Sequence, residues 1–158
     1  MRNLALVSLF SACTYVHAAP PDFNKTVSSV NKSVKCGQAK TTPASYGMGD
    51  LYSCISGAAS TAKIFINEDV GTGKVKNIKI MWNDWFQDGG YGLHPDHMEA
   101  HSFVDAVTNM FIPSASKKLQ ANFFDKTPTE YQANGFNAVY SYHRGPKIEE
   151  RLITLTPK

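Results

Sequence analysis

Two segments in which apolar and polar residues alternate, separated by a glycine turn, constrain the fold of this chain more than any other feature. Such alternation places every second side chain on one face of a strand, as a half-buried sheet requires. Glycines between the segments adopt turn conformations that other residues avoid. The pattern lies in residues 62–67 with Ile64 and Ile66, in residues 75–82 with Ile78, Ile80 and Trp82, and in Gly71-Thr72-Gly73. The sequence therefore predicts a β-hairpin with one buried face.

Three other segments have apolar residues at the three- and four-residue spacing of amphipathic helices. The first covers residues 22–36, with Asp22 as its N-cap and Gly37 as its stop. The second covers residues 95–111 and carries the broadest apolar stripe, and a shorter third helix ends near Phe124.

Further strands are predicted at residues 51–56, 136–143 and 148–156. The last two strands form a second hairpin around a turn at residues 144–147. Charged Glu149, Glu150 and Arg151 lie beside this turn, and we expect them to give the hairpin a solvent-exposed end.

The predicted order is α-β-β-β-α-α-β-β, which indicates an α+β fold. Short connections favour antiparallel pairing, so we expect a sheet of about five strands with helices packed on one face. This element order is similar to that of secretion-chaperone-like α+β sandwiches, a likeness that implies no function. The remaining stretches are predicted as loops, at residues 40–49, 84–94 and 125–135.

Composition limits the classes of function. Hydrophobic residues make up 42% of the chain and charged residues 18%, which favours a folded domain over disorder. The formal net charge is +3 and no basic stripe is present, so a nucleic-acid partner is not predicted. After Ala19 no apolar run approaches the roughly 20 residues of a membrane span, and we expect no transmembrane segment there.

The first nineteen residues predict an export signal. Arg2 precedes a short apolar run, and small residues suit cleavage after Ala19. Residues 20–158 would then form one domain in the periplasm or outside the cell. An alternative is a lipoprotein signal, in which Cys13 carries a lipid anchor because small residues precede it.

Two cysteines follow the predicted signal, Cys36 and Cys54. An even pair in an exported protein favours a disulfide, and the spacing is unlike that of a redox or zinc motif. The bond would close a loop of about 18 residues and stabilise the fold by about 3 kcal/mol.

A histidine-rich segment has metal-binding potential. His97, His101 and Asp105 recur every four residues, so they share one side of the second predicted helix. Two histidines one turn apart can ligate a divalent metal such as zinc, and a carboxylate can complete the set. His94 lies just before the helix and could join them. The alternative is an ordinary polar border of the helix.

Aromatic residues in a glycine-rich segment, residues 82–93, indicate a recognition surface. Trp85, Phe86 and Tyr91 are the candidates for contact with a partner. In the alternative interpretation Trp82 and Phe86 turn inward and cap the core, which leaves Trp85 and Tyr91 exposed.

No serine-hydrolase or zinc-peptidase motif accompanies these features. We therefore predict an exported, non-enzymatic module of the bacterial envelope that binds a protein partner, as an inhibitor, an immunity protein or a secretion-associated factor does. No cofactor is predicted for that function. The alternative is a metal-binding protein or metal-dependent hydrolase that uses the histidine segment.

Overall fold

Three helices and seven strands form in residues 19–158, the part of the chain that the computed structural model describes. The helices are α1 (Phe23–Ser33), α2 (His97–Phe111) and α3 (Ser116–Phe124). The strands are β1 (Gln38–Thr42), β2 (Leu51–Ser56), β3 (Ala62–Asp69), β4 (Lys74–Trp85), β5 (Thr129–Ala133), β6 (Phe136–Arg144) and β7 (Ile148–Pro157). The predicted signal sequence, apart from Ala19, and Cys13 within it lie outside the described residues. No helix in residues 19–158 is long and apolar enough to cross a membrane.

All seven strands belong to one antiparallel sheet in the order β1-β2-β3-β4-β7-β6-β5. Strands β1 to β4 form one meander and β5 to β7 form another, and the pairing of β4 with β7 joins the two. The α+β class, the three helices and both hairpins are confirmed. The predicted count of about five strands and the predicted order are wrong, because β1 and β5 lie in segments predicted largely as loops.

The two missed strands lie at the edges of the sheet. Every residue of β1 is exposed, and no residue of β5 is fully buried. An edge strand with little burial needs no apolar alternation, so the sequence pattern that identifies central strands is missing there. Strand β4 also runs further than predicted and ends at Trp85.

The first helix begins where the sequence predicts and ends earlier. The Asp22 side chain accepts a hydrogen bond from the Lys25 N–H at 3.0 Å, which caps α1. Val34 already has extended backbone angles, so the helix ends three residues before the predicted end, and Gly37 is not its stop. The predicted disulfide is confirmed: Cys36 and Cys54 are bonded with a Cα–Cα distance of 5.3 Å, which ties the end of α1 to β2.

The core lies between the helices and one face of the sheet. Every second residue is buried in β7, in β4 from Ile78 to Asp84 and in β6 from Phe136 to Tyr140. These buried residues meet in register across the three strands. Two such rows are at most 1% exposed and are called the apolar rows: Ile78–Leu155–Ala138 and Ile80–Ile153–Tyr140.

The start of α2 is fixed to the connection between β2 and β3. The Asp96 carboxylate accepts hydrogen bonds from the Ala59 N–H and from both the N–H and the hydroxyl of Thr61. Gly57 has a φ of +89°, and a Cβ at this position would lie 1.9 Å from the Asp96 side chain. Only glycine therefore leaves room for this contact, which determines where His97 lies.

Candidate functional site

Beyond the apolar rows, the same face of the sheet becomes ionic. The next two rows, called the ionic rows, are Trp82–Arg151–Tyr142 and Asp84–Glu149–Arg144. Asp84 is 0% exposed, Glu149 1% and Arg151 4%. The predicted solvent-exposed end of the hairpin is therefore wrong for Glu149 and Arg151, and only Glu150 lies exposed as expected.

A signal for this burial is present in the sequence. Side chains along a strand alternate between faces, so Arg151 and Glu149 share the face of Ile153. By the same rule Asp84 shares the face of Trp82. For Glu149 and Arg151 charge predicts exposure and strand periodicity predicts burial, and the structure follows the periodicity.

Arg151 lies at the centre of the ionic rows. Its Nη2 donates to Asp84 at 2.5 Å, and its Nη1 donates to the carbonyl oxygens of Phe123 and Phe124 at the end of α3. The guanidinium lies 4.6 Å from the centre of the Trp82 ring, a cation–π contact. Its Nε–H is buried and has no acceptor among residues 19–158. Such an unpaired buried donor costs about 1–3 kcal/mol.

Glu149 is held ionised by cations at the rim. The Lys126 ammonium lies 2.6 Å from its carboxylate, and the Arg144 guanidinium lies 3.8 Å away. Burial by itself would raise the pKa of Glu149, but hydrogen bonds from Lys126 and Tyr142 and the charges of Lys126 and Arg151 outweigh it. The pKa of Glu149 is therefore lowered.

His94 is oriented by the buried Asp84. The two side chains approach to 2.7 Å between Nδ1 and Oδ1, and the His94 side chain remains half exposed. The His94 backbone is left-handed, with a φ of 51°, which is uncommon outside glycine. Among the described residues, Asp84 is the side chain that hydrogen-bonds to His94.

The structure brings two of the four predicted metal ligands together. The His97 and His101 ring centres are 4.4 Å apart, and the His101 ring stacks on Phe124 at 3.6 Å and 5°. Partial burial and the neighbouring His97 lower the pKa of His101. His97 also meets the edge of the Trp82 ring, at 5.3 Å between centroids.

The other two predicted ligands have different partners. His94 is held by Asp84, and the Asp105 carboxylate accepts hydrogen bonds from Asn109 at 2.7 Å and Gln120 at 3.1 Å. Within residues 19–158 no group of three or more histidine, cysteine, aspartate or glutamate side chains is arranged to hold a metal ion. The metal site stays a prediction, and metal analysis of the purified protein would check it.

An open groove of about 500 Å³ lies over the ionic rows, between the start of α2 and the end of α3. Two of the residues that line it have left-handed backbones, His94 and Lys126. Backbone strain of this kind is concentrated at functional sites, which favours the groove as a candidate. The lining residues are Trp82, Asp84, His94, His97, Phe124, Lys126 and Arg151.

The aromatic loop of residues 86–93 borders this groove. The His94 N–H donates to the Trp85 carbonyl at 2.7 Å and closes the loop at its base. Inside the loop, Asp88 accepts from the N–H groups of Gly90 and Gly92 at 2.8 Å each. These two hydrogen bonds lower the pKa of Asp88. Hydrogen bonds at the base of the loop and to the Asp88 side chain inside it therefore brace the loop.

The predicted contact residues differ in exposure. Tyr91 is 60% exposed. Leu93 is 60% exposed as well, although the sequence pattern did not indicate it as a contact residue. Trp85 is only partly exposed because its ring covers Gly89, and Phe86 lies partly buried with the Arg144 guanidinium 4.9 Å from its ring centre. Trp82 turns inward, as the alternative interpretation expected.

Comparisons with protein-family models, curated proteins and solved structures find no significant match to this chain. The chemistry of the site therefore has to be derived from its own residues. The disulfide is compatible with an exported protein.

Proposed function

We propose that this chain is an exported, non-enzymatic binding module of a bacterial envelope that holds a protein partner through the loop of residues 86–93. One observation carries the proposal. The loop presents Tyr91 and Leu93 to solvent while its base is fixed by His94 on a buried carboxylate.

The physical support is pre-organisation. A loop that is already ordered loses little conformational entropy when a partner binds, so more of the contact energy remains as affinity. Aromatic side chains in such a loop supply large contact area with few rotatable bonds. Tyr91 on this tethered loop has both properties, and Leu93 adds exposed apolar area beside it.

Export is supported by separate features. The predicted signal sequence directs the chain out of the cytoplasm, and a structural disulfide persists in an oxidising compartment. Cell fractionation with thiol alkylation tests this part. Intact leader and free Cys36 and Cys54 in cytosolic material would contradict it.

Site-specific photo-cross-linking in the producing cell tests partner binding. The photoreactive residue p-benzoylphenylalanine replaces Tyr91 in one strain and Tyr46 in another. Tyr46 is a matched control, since it is a fully exposed tyrosine in a glycine-containing loop between β1 and β2. We expect one discrete protein adduct from position 91 and none of that mass from position 46.

A competition arm makes the result decisive. Wild-type protein in excess should suppress the adduct, and the Leu93→Ala variant should suppress it poorly, whereas Tyr46→Ala should compete like wild type. Equal labelling from both positions, or equal competition by both variants, would show that the loop is not the contact surface.

A further inference from the structure

The groove over the ionic rows has the composition of a small-anion site, which the proposed loop surface does not explain. Two permanent cations line it, Arg151 and Lys126, against the carboxylate of Asp84. Beside the groove Glu149 and Arg144 pair with each other, so the excess stays at one positive charge. A ligand with a single negative charge would neutralise it.

A specific donor is available for that ligand. The Arg151 side chain is 5% exposed and lines the groove, and four of its five N–H bonds belong to Nη atoms that are engaged by Asp84, Glu149 and two α3 carbonyl groups. The fifth, on Nε, has no acceptor within the described part of the chain. Buried donors in native proteins are nearly always paired, so an unpaired one on a side chain that lines a groove points to an absent acceptor.

The rest of the wall limits what carries the charge. Phe124, His97 and Trp82 present ring atoms to the groove, and the ring stack of His101 on Phe124 keeps that wall in place. Aromatic walls favour a flat, apolar body. The volume of about 500 Å³ lies within the range of small-molecule sites.

We infer that the groove binds the carboxylate of an aromatic or apolar organic acid, with Lys126 at its rim and the Arg151 Nε–H as the buried donor. The same carboxylate chemistry is available from a free small acid and from the C-terminus of a polypeptide that ends in an aromatic residue. The inference does not depend on the loop of residues 86–93 having a partner.

Titration of the full exported protein with phenylacetate tests the site, with phenylacetamide as the uncharged control of the same shape. The readout is the NMR signal of the Arg151 Nε–H, since Arg144 is the only other arginine after Arg2. We expect phenylacetate to shift this signal and slow its exchange with water, and phenylacetamide to bind about tenfold more weakly.

Two variants and two peptides complete the experiment. Lys126→Gln should weaken phenylacetate about tenfold, while Lys147→Gln, on an exposed lysine outside the groove, should leave its affinity unchanged. A peptide with a free C-terminal phenylalanine that binds more tightly than phenylacetate, and loses binding when amidated, would identify a polypeptide terminus as the source. Preference for the free acid would identify a small molecule.

Several outcomes would overturn the inference. Equal affinity for phenylacetate and phenylacetamide would exclude charge recognition, and an Arg151 Nε–H signal that does not move would exclude the buried donor. An absence of binding by all four probes would exclude the site. None of these results depends on the cross-linking at Tyr91, so the two proposals can fail separately.

Discussion

One face of three central strands is apolar at one end and ionic at the other. In the apolar rows Ile80, Ile153 and Tyr140 lie in register beneath the helices, and four residues further along β4 the same face presents Asp84 opposite Glu149. Asp84, Glu149 and Arg151 at the ionic end are buried almost as completely as the apolar rows. Burial alone therefore does not distinguish core from site, and the difference lies in what each buried group requires.

The two ends obey different energetic rules. Apolar side chains gain free energy from leaving water and need only a close fit. Buried charges lose hydration and remain folded only when each has a partner. The ionic end supplies those partners from five elements: β4, β6, β7, α3 and the connection that follows α3. It leaves a groove where coverage by the helices stops.

The largest expected effect comes from removing the central cation. Arg151→Met leaves Asp84 and Glu149 buried without their shared counter-ion, and we expect the free energy of unfolding to fall by about 3–5 kcal/mol. Urea denaturation measures it. Ile153 is the next residue of β7 on the same face as Arg151. Ile153→Val should lower the free energy of unfolding by only about 1 kcal/mol.

A compensating variant distinguishes a functional role of the charges from a structural one. Adding Asp84→Leu and Glu149→Leu to Arg151→Met should recover most of the lost stability, because apolar groups of similar size can replace a buried ion cluster. The triple variant should no longer bind phenylacetate. A triple variant as unstable as Arg151→Met alone would mean that the fold itself needs the charges.

Loss of the disulfide should have the next largest effect. The paired changes Cys36→Ser and Cys54→Ala should lower the free energy of unfolding by about 3 kcal/mol, the value expected for a closed loop of this length. The phenylacetate affinity should be unaffected, because the bond joins the end of α1 to β2 and neither element lines the groove. Weaker binding in this variant would show that the two ends are coupled.

Stability measured at alkaline pH reports on the burial of Tyr140 in the apolar rows. Burial raises the pKa of Tyr140 to about 12 from 10.0, so the folded state holds this proton more tightly than the unfolded chain. Stability from this group is complete below pH 10 and falls by about 3 kcal/mol as the pH rises through 12. Tyr140→Phe should flatten that part of the curve, and an unchanged slope would contradict this origin.

Stability measured at acid pH reports on the ion pairs of Glu149 in the ionic rows. The pKa of Glu149 is lowered below 4.5, so its contribution is present above that pH and is lost as the pH falls through the lowered value. We expect a loss on the order of 1 kcal/mol, because Lys126 and Arg144 are partly exposed to solvent. Glu149→Gln should remove this acid-side slope while leaving the alkaline slope intact.

The smallest effect on stability belongs to the loop. Tyr91→Ala and Leu93→Ala should each change the free energy of unfolding by less than about 0.5 kcal/mol, since both side chains face solvent. A larger loss would show that these residues support the fold. Only the cross-linking at position 91 would then show that the loop contacts a partner.

The regular elements could be predicted where periodicity is strong. The hairpin of β3 and β4 and the helix α2 carry full apolar patterns, and both formed as predicted. Strands β1 and β5 could not be found in this way, because edge strands are held by backbone pairing and their side chains stay largely in water. The disulfide was predictable because only one pair of cysteines follows the proposed signal.

The candidate site was predictable only in part. The spacing of histidines along one segment predicts His94 and His97 as site residues, and both line the groove. No sequence pattern predicts Asp84 and Arg151 as site residues. They lie 67 residues apart and meet only through the pairing of β4 with β7. Asp105 was grouped with the histidines by spacing, yet its hydrogen bonds are to Asn109 and to α3.

The amino-acid order alone determined the local features: helix and strand periods, the cap at Asp22, the glycine turns and the single cysteine pair. These depend on neighbours within a few residues, so they can be recognised along the chain. The tertiary structure decided which strands adjoin, which charges are buried and where the helices stop covering the sheet. Those outcomes depend on contacts between distant segments, and the groove at Arg151 exists only because the two meanders join there.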